Sequence, residues 1–240
     1  MKIYFDEAGR WPLFWPLYIG LVISNVSKKA LTNYELFQDS KKLTPKQRKL
    51  ALEQIETLEK TGKLQTAVSS IDAETIDRYG ITRAINLAIC KGLYSLLCSL
   101  LKEKEEKSFS VKSLKKLIQN YENLTQDPLK LILDGKSDFW LWKELGIQTE
   151  TIIHGDALMK EIAIASILAK VKRDELLEHF AEKYPEYGFE KHKGYGTKAH
   201  FAAIKQHGIL KEHRKLFLKK SFPDWKPEKR DYNSKINMKD

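Results

Sequence analysis

The first hydrophobic run of the chain, Ile3 to Phe5, ends on Asp6 and Glu7, with Gly9 two residues further on. That pattern predicts a strand delivering acid to a turn. Side chains on a regular strand alternate between faces. Asp6 and Glu7 are therefore expected to serve one site only if the strand stops there and the backbone swings at Ala8 and Gly9. A second apolar run covers residues 17–24, with Pro12 and Pro16 confining the connection before it, so residues 2–24 read as a hairpin. Thr44 and Pro45 open a helix as cap and first residue, and Gly62 follows its end near residue 60. Residues 63–71 alternate as a third strand, and residues 73–101 carry helical apolar spacing with a break at Tyr79 and Gly80.

A charged stretch at 102–107 leads into an amphipathic piece at 111–121, and residues 102–127 together are expected to form a surface insertion. Asp127 and Pro128 announce the strand L-K-L-I-L-D-G at 129–135, and a short strand is expected at 149–153. Gly155 and Asp156 then precede one long helix over 157–183, rich in small residues between Ala163 and Ala169, and another helix is expected over 198–206. After Phe222 the periodicity fades while charge and proline rise, which predicts a flexible basic tail over 223–240. Strands interleaved with helices behind a leading antiparallel pair describe an α/β fold: a mixed sheet flanked by helices, here as one domain over 1–222.

Composition narrows the classes. The chain of 240 residues is 42% hydrophobic and has no run of about 18 uninterrupted apolar residues, so a soluble protein without a membrane segment is expected. No basic and apolar leader with a small-residue cleavage site opens the sequence, and a cytoplasmic location is expected. Cys90 and Cys98 lie in an apolar helical stretch with no ligand spacing and read as buried structural thiols. Lys and Arg number 42 against 32 acids, for a net charge of +10. Such a surface attracts polyanions.

The acids then gain meaning. Asp134 repeats the setting of Asp6, an apolar strand ending on Asp, and carboxylates at the carboxyl ends of sheet strands lie where open α/β sheets hold ligands. Asp156 stands before a helix, so Asp6, Glu7, Asp134 and Asp156 can converge. Four acids repel one another unless cations sit between them. Hard divalent ions, Mg²⁺ or Mn²⁺, suit an all-oxygen set and would support two-metal phosphoryl chemistry.

Six segments occur in order: D-E-A-G-R at 6–10, D-S-K-K-L at 39–43, L-D-G at 133–135, G-D at 155–156, A-S-I-L-A-K-V-K-R-D at 165–174, and Y-P-E-Y-G-F-E-K-H-K-G-Y-G-T-K-A-H at 184–200. Together they resemble bacterial ribonuclease HII, over residues 1–222, and H-R-K-L-F at 213–217 is similar to that family's ending. The resemblance implies a ribonuclease H-like fold with a helical C-terminal extension. It also implies an endoribonuclease acting on RNA/DNA hybrids, cutting 5′ to ribonucleotides embedded in DNA to leave 5′-phosphate and 3′-hydroxyl ends; a monomer is the default expectation. Asp6, Glu7, Asp134 and Asp156 correspond to its metal-binding acids. Gly9, Arg10 and Trp11 fall in the loop that reads the 2′-hydroxyl, and Tyr195 in the position that packs on the next sugar. Lys41, Lys42, Lys170 and Arg173 are expected phosphate contacts. His192 and His200 lack metal-ligand spacing and are expected in surface or hydrogen-bonding roles, while Asp39 orients Ser40 and Lys41 and Asp174 supports the long helix.

One departure stands out. The family pattern has glycines where this chain has Trp11 and Trp15, and an indole obstructs a loop built for close backbone approach. A reassigned code in which UGA specifies glycine would restore glycine at both positions, and Trp140, Trp142 and Trp225 also lie in loop-like contexts. The competing expectation is a binding protein of the same fold whose catalysis these tryptophans impair.

Overall fold

The computed structural model describes residues 1–105, 109–134, 145–219 and 221–222. The tail expected over 223–240, Gly135, Trp140, Trp142 and Trp225 lie outside the described residues. Five strands, β1 (Lys2–Ala8), β2 (Leu17–Ser24), β3 (Leu64–Ile71), β4 (Lys130–Asp134) and β5 (Gln148–Ile152), form one sheet in the order β3-β2-β1-β4-β5. β1 pairs antiparallel with β2 and parallel with β4; β2–β3 is antiparallel and β4–β5 parallel. The mixed sheet and the hairpin match the sequence reading.

Pleat parity divides the sheet into two faces. Ile3, Phe5, Leu131 and Leu133 join the core beneath α4 (Ile81–Leu101) and α5 (Val111–Thr125). Tyr4, Val22 and Ile132 join the opposite core, beneath α2 (Pro45–Lys60) and the long α7 (Lys160–Lys183). α2 begins at a capping box between Thr44 and Gln47 with Pro45 at its first position, as the sequence predicts. α4 is long and apolar enough to cross a membrane, yet most of that stretch is buried within the protein. Its apolarity serves a core helix covered on both sides.

The segment expected as a surface insertion is corrected in part. α5 turns Leu114, Leu117, Ile118 and Tyr121 into the core against α4, so its amphipathic pattern reports one buried face. The single helix expected over 157–183 is two helices. α6 (Gly155–Leu158) ends at Met159, whose extended backbone (φ −129°, ψ 123°) separates it from α7.

Past α7 the chain forms α8 (Phe189–His192), α9 (Lys198–His207) and α10 (Lys215–Leu218), which close a third core around Phe14, Phe180, Tyr187 and Phe189. The Phe14 ring stacks on Phe189 at 4.0 Å between centroids, so the β1–β2 loop is a structural part of this helical extension. Two short helices, α1 (Lys28–Leu31) and α3 (Ala73–Tyr79), and a 3₁₀ turn at Pro185–Tyr187 complete the described elements.

Candidate metal centre and nucleic-acid face

Parallel register assembles the site. Phe5 lies opposite Leu133, so the next residue on each strand is an aspartate, Asp6 on β1 and Asp134 on β4, both on the face of Tyr4 and Ile132. Asp156 arrives from α6. The Gly155 amide donates to Asp134 Oδ1 at 2.6 Å, and a Cβ at Gly155 would stand 2.5 Å from Ile162 Cδ1 and 3.2 Å from Asp134 Oδ1. One carboxylate oxygen from each of Asp6, Asp134 and Asp156 lies within 4.8 Å of the others.

β1 does not stop at Asp6 but runs to Ala8, and Glu7 lies outside the trio with its Oε1 accepting from Arg10 Nη1 at 3.3 Å, while its charge still acts on Asp6 and feels Asp134 and Lys41. Burial still raises its proton affinity, with Arg10 opposing and Asp134 adding to the rise. Asp6 is the most perturbed acid of the group: burial, then the charges of Glu7 and Asp134, hold its carboxyl well above the usual carboxylate range. Asp156 is raised by burial, by Asp39 and by Asp134.

Several neighbours escaped sequence reasoning. Ser40 and Ser166 share a hydrogen bond of 2.8 Å, and Ser166 also bonds Asp6 and stabilises its charged form. Asp39 accepts from the Lys41 amide at 3.0 Å, as expected, but it also stands against Asp156. Burial disfavours the Lys41 ammonium, yet Asp6, Asp39, Asp156 and Asp134 together raise its proton affinity. A cleft of about 230 Å³ continues from Asp156 between Phe37 and Lys160.

The expected substrate contacts separate into two groups. Trp11, Lys41, Lys42 and Tyr195 are exposed, and the Arg10 guanidinium lies over the Trp11 ring at 5.5 Å from its centroid. Lys170 is bound to Asp174 at 2.6 Å, and Asp174 also pairs with Arg48. Arg173 is corrected: it is buried, it donates to the carbonyls of Lys193 (3.0 Å) and Phe14 (3.5 Å), and it lies so close beneath Gly9 that a Cβ there would stand 2.5 Å from its Nε. A guanidinium in that place shapes the loop instead of meeting phosphate. Gly9 itself needs its left-handed φ of 93°.

His200 is fully buried rather than superficial, and it joins a partner the sequence reading passed over. His213 Nδ1 accepts from the Leu210 amide, and its Nε2 lies 3.1 Å from His200 Nε2. His200 Nδ1 donates to the Tyr195 carbonyl. The chain of bonds requires both rings neutral, and burial lowers His200 to about 4 and His213 to about 3. Trp15 stands half-buried with its ring 5.4 Å from Phe180 and adopts φ 30°, in the region that favours glycine.

A mixed sheet that sets aspartates on two neighbouring parallel strands, with a third from the helix after β5, agrees with the ribonuclease H-like class of metal-dependent nucleases to which a family match assigns the chain. The profile of the ribonuclease HII family matches residues 3–224, and the chain belongs to that family. It is 36% identical over 212 residues to a ribonuclease HII of Shewanella halifaxensis, covering 88% of this chain and 85% of that protein. It is likewise 36% identical over 220 residues to a ribonuclease HII of Prochlorococcus marinus, covering 92% and 90%. Its fold is similar to that of a ribonuclease HII solved in complex with PCNA from Archaeoglobus fulgidus, with a TM-score of 0.62, 22% identity and coverage of 94% and 98%.

Proposed function

We propose that the chain is an endoribonuclease that hydrolyses the RNA strand of RNA/DNA hybrids and cuts 5′ to ribonucleotides embedded in DNA, leaving 5′-phosphate and 3′-hydroxyl ends. The observation that carries this reading is the trio Asp6, Asp134 and Asp156 within a ribonuclease HII chain. The three are all-oxygen donors, and burial, then the charges of Glu7 and Asp134, raise the carboxyl of Asp6. That donor set fits Mg²⁺ or Mn²⁺. When bound, such ions supply a nucleophile at neutral pH and neutralise charge on the phosphate.

The protein's own groups do the rest. Asp6, Asp134 and Asp156 would hold the ions, with Glu7, expected as the fourth ligand, bordering them beside Arg10. Lys41 places its ammonium among the acids, where it can meet the scissile phosphate. Lys42 extends the positive face. Gly9, Arg10 and Trp11 present a loop beside the carboxylates, and the exposed Tyr195 lies across from it as a surface for a sugar. Lys170 contributes positive charge already shared with Asp174, and we propose a monomer in the cytoplasm.

The deciding assay uses a DNA duplex with a single ribonucleotide, a continuous hybrid and an all-DNA duplex, each with Mg²⁺ or Mn²⁺. Cuts 5′ to the ribonucleotide, with the all-DNA duplex intact, support the reading. Binding of all three without cleavage would leave only a nucleic-acid-binding protein.

A further inference from the structure

We propose that Arg214 is a positioning residue that fixes the backbone of the 9–15 loop against the carboxylate site, resting on the reading of that loop as a substrate contact. Its guanidinium has no solvent exposure. Nη2 donates to the carbonyls of Gly9 and Trp15, and Nη1 donates to that of Arg10 at 2.9 Å, across 204 residues of sequence. The backbone of the same segment adds Arg214 N–H to Leu13 C=O at 2.7 Å and Glu212 C=O to Trp15 N–H at 2.9 Å. No carboxylate forms an ion pair with Arg214 among the described residues. The Asp77 oxygens near it are taken by the amides of Lys215 and Leu216.

A buried cation without a carboxylate is an expensive way to fill space, and an apolar side chain would pack a helical core more favourably. The arrangement makes sense if three loop carbonyls must turn inward. Three buried acceptors need donors, and one planar fork supplies them from a single side chain. With those carbonyls committed, the amides of Arg10 and Trp11 have no hydrogen-bond partner among the described residues and are left for substrate oxygens. Arg173 supports the same loop from beneath, through Phe14 C=O and against Gly9. The carboxyl-terminal segment thereby sets the geometry of a loop that begins at residue 9.

The test compares R214M and R214K with Y187F, which removes a hydrogen bond from Tyr187 to the Gly208 carbonyl in the same helical extension and touches no loop carbonyl. Steady-state kcat and KM are measured on the single-ribonucleotide duplex, together with the rise in Tm on adding Mn²⁺ and hydrogen exchange at the Leu13 and Trp15 amides. Misplacing a substrate contact by about 1 Å can lower the rate about 100-fold, and R214M is expected to lose kcat on that scale while KM changes less than about threefold. R214K keeps the charge but not the fork and is expected to fall between R214M and the parent. Both variants retain the Mn²⁺ shift and expose Leu13 and Trp15 to faster exchange; Y187F keeps kcat even where it lowers Tm.

Parental kcat in R214K with unchanged exchange overturns the proposal, as does an equal loss of kcat in Y187F at equal Tm. Should R214M fail to fold, R214K decides. An inactive parent would refute the nuclease reading alone, and the exchange data would still judge the role of Arg214: unchanged protection at Leu13 and Trp15 in R214K refutes it.

Discussion

Two buried polar clusters of opposite sign flank the 9–15 loop, and they solve the problem of burial differently. On one side, Asp6, Asp134 and Asp156 converge with little to offset their charge: Ser166, the Gly155 amide and Lys41 help, yet the carboxyl of Asp6 is driven far up. On the other side, Arg173 and Arg214 are buried without ion pairs of their own, but backbone carbonyls surround them, and His200 and His213 avoid charge altogether by sharing one hydrogen bond. The acidic cluster offers three carboxylates that could hold a cation. The basic cluster commits its Nη groups to backbone carbonyls, while Arg173 Nε and Arg214 Nε stay buried without a hydrogen-bond partner. A fold accepts such a contrast where one region binds and the other holds the binding region in place.

The largest expected effect breaks the acidic side. D6N or D134N removes a donor from the trio, and turnover should drop to about 1% of the parent or less. Because repulsion falls at the same time, the metal-free Tm should rise, and affinity for hybrid should persist; equal turnover by variant and parent in Mg²⁺ or Mn²⁺ would refute the assignment. Next comes metal addition itself. Saturation to about 100 times Kd stabilises a protein that binds only when folded by about 2.7 kcal/mol, so Mn²⁺ should raise Tm clearly in the parent and little in D6N. A similar shift in both would place the ion elsewhere.

Glu7 sharpens the contrast within the acidic side. Since it stands outside the trio and pairs with Arg10, E7Q should cost about 10–100-fold in activity, less than D6N. Equal losses would bring Glu7 into direct ligation.

Acid titration then opposes the two clusters. His200 and His213 take up protons in the fold only near about 4 and about 3, below the usual imidazole value, so their contribution to stability is present above about 6.5 and is lost as pH falls toward 4. Asp6 has the opposite sign: its raised proton affinity means that repulsion is relieved as pH falls. In metal-free protein, Tm should therefore decline from pH 6.5 to 4, and more steeply in D6N, where the opposing relief is gone. A shallower decline in D6N would reverse the assignment of signs.

The smallest effect concerns Trp15. W15G removes a left-handed strain of roughly 1–2 kcal/mol and gives up the contact with Phe180, so the net change should lie within about 1 kcal/mol. A loss above about 2 kcal/mol would make the indole structural. Glycine at positions 11 and 15 in protein purified from its native cells, read by mass spectrometry, would establish a reassigned UGA; tryptophan there would end that idea.

Much of this molecule was open to sequence reading because the signals are local. The apolar run over 17–24, the alternation over 63–71, the Thr44–Pro45 start and the helical spacing of 73–101 with its break at Tyr79 and Gly80 each depend on residues within a few positions of one another, and each gave the expected element. Asp6 and Asp134 were visible as strand-ending acids. Pairing Phe5 with Leu133 then made them neighbours. Glu7 was the point at which local pattern gave two outcomes, and β1 continues past it to Ala8.

What the sequence determined by itself is the alphabet of elements, the acids at strand ends, the positive surface and the family resemblance. Only the tertiary structure decided that α5 belongs to the core, that Arg173 faces carbonyls instead of solvent, that His200 meets His213, and that Arg214 grips a loop 204 residues away. The physical reason is range. Periodicity and capping are set by bonds within a few residues, whereas burial of a charge and the partner that satisfies it depend on which distant segments the packing brings together.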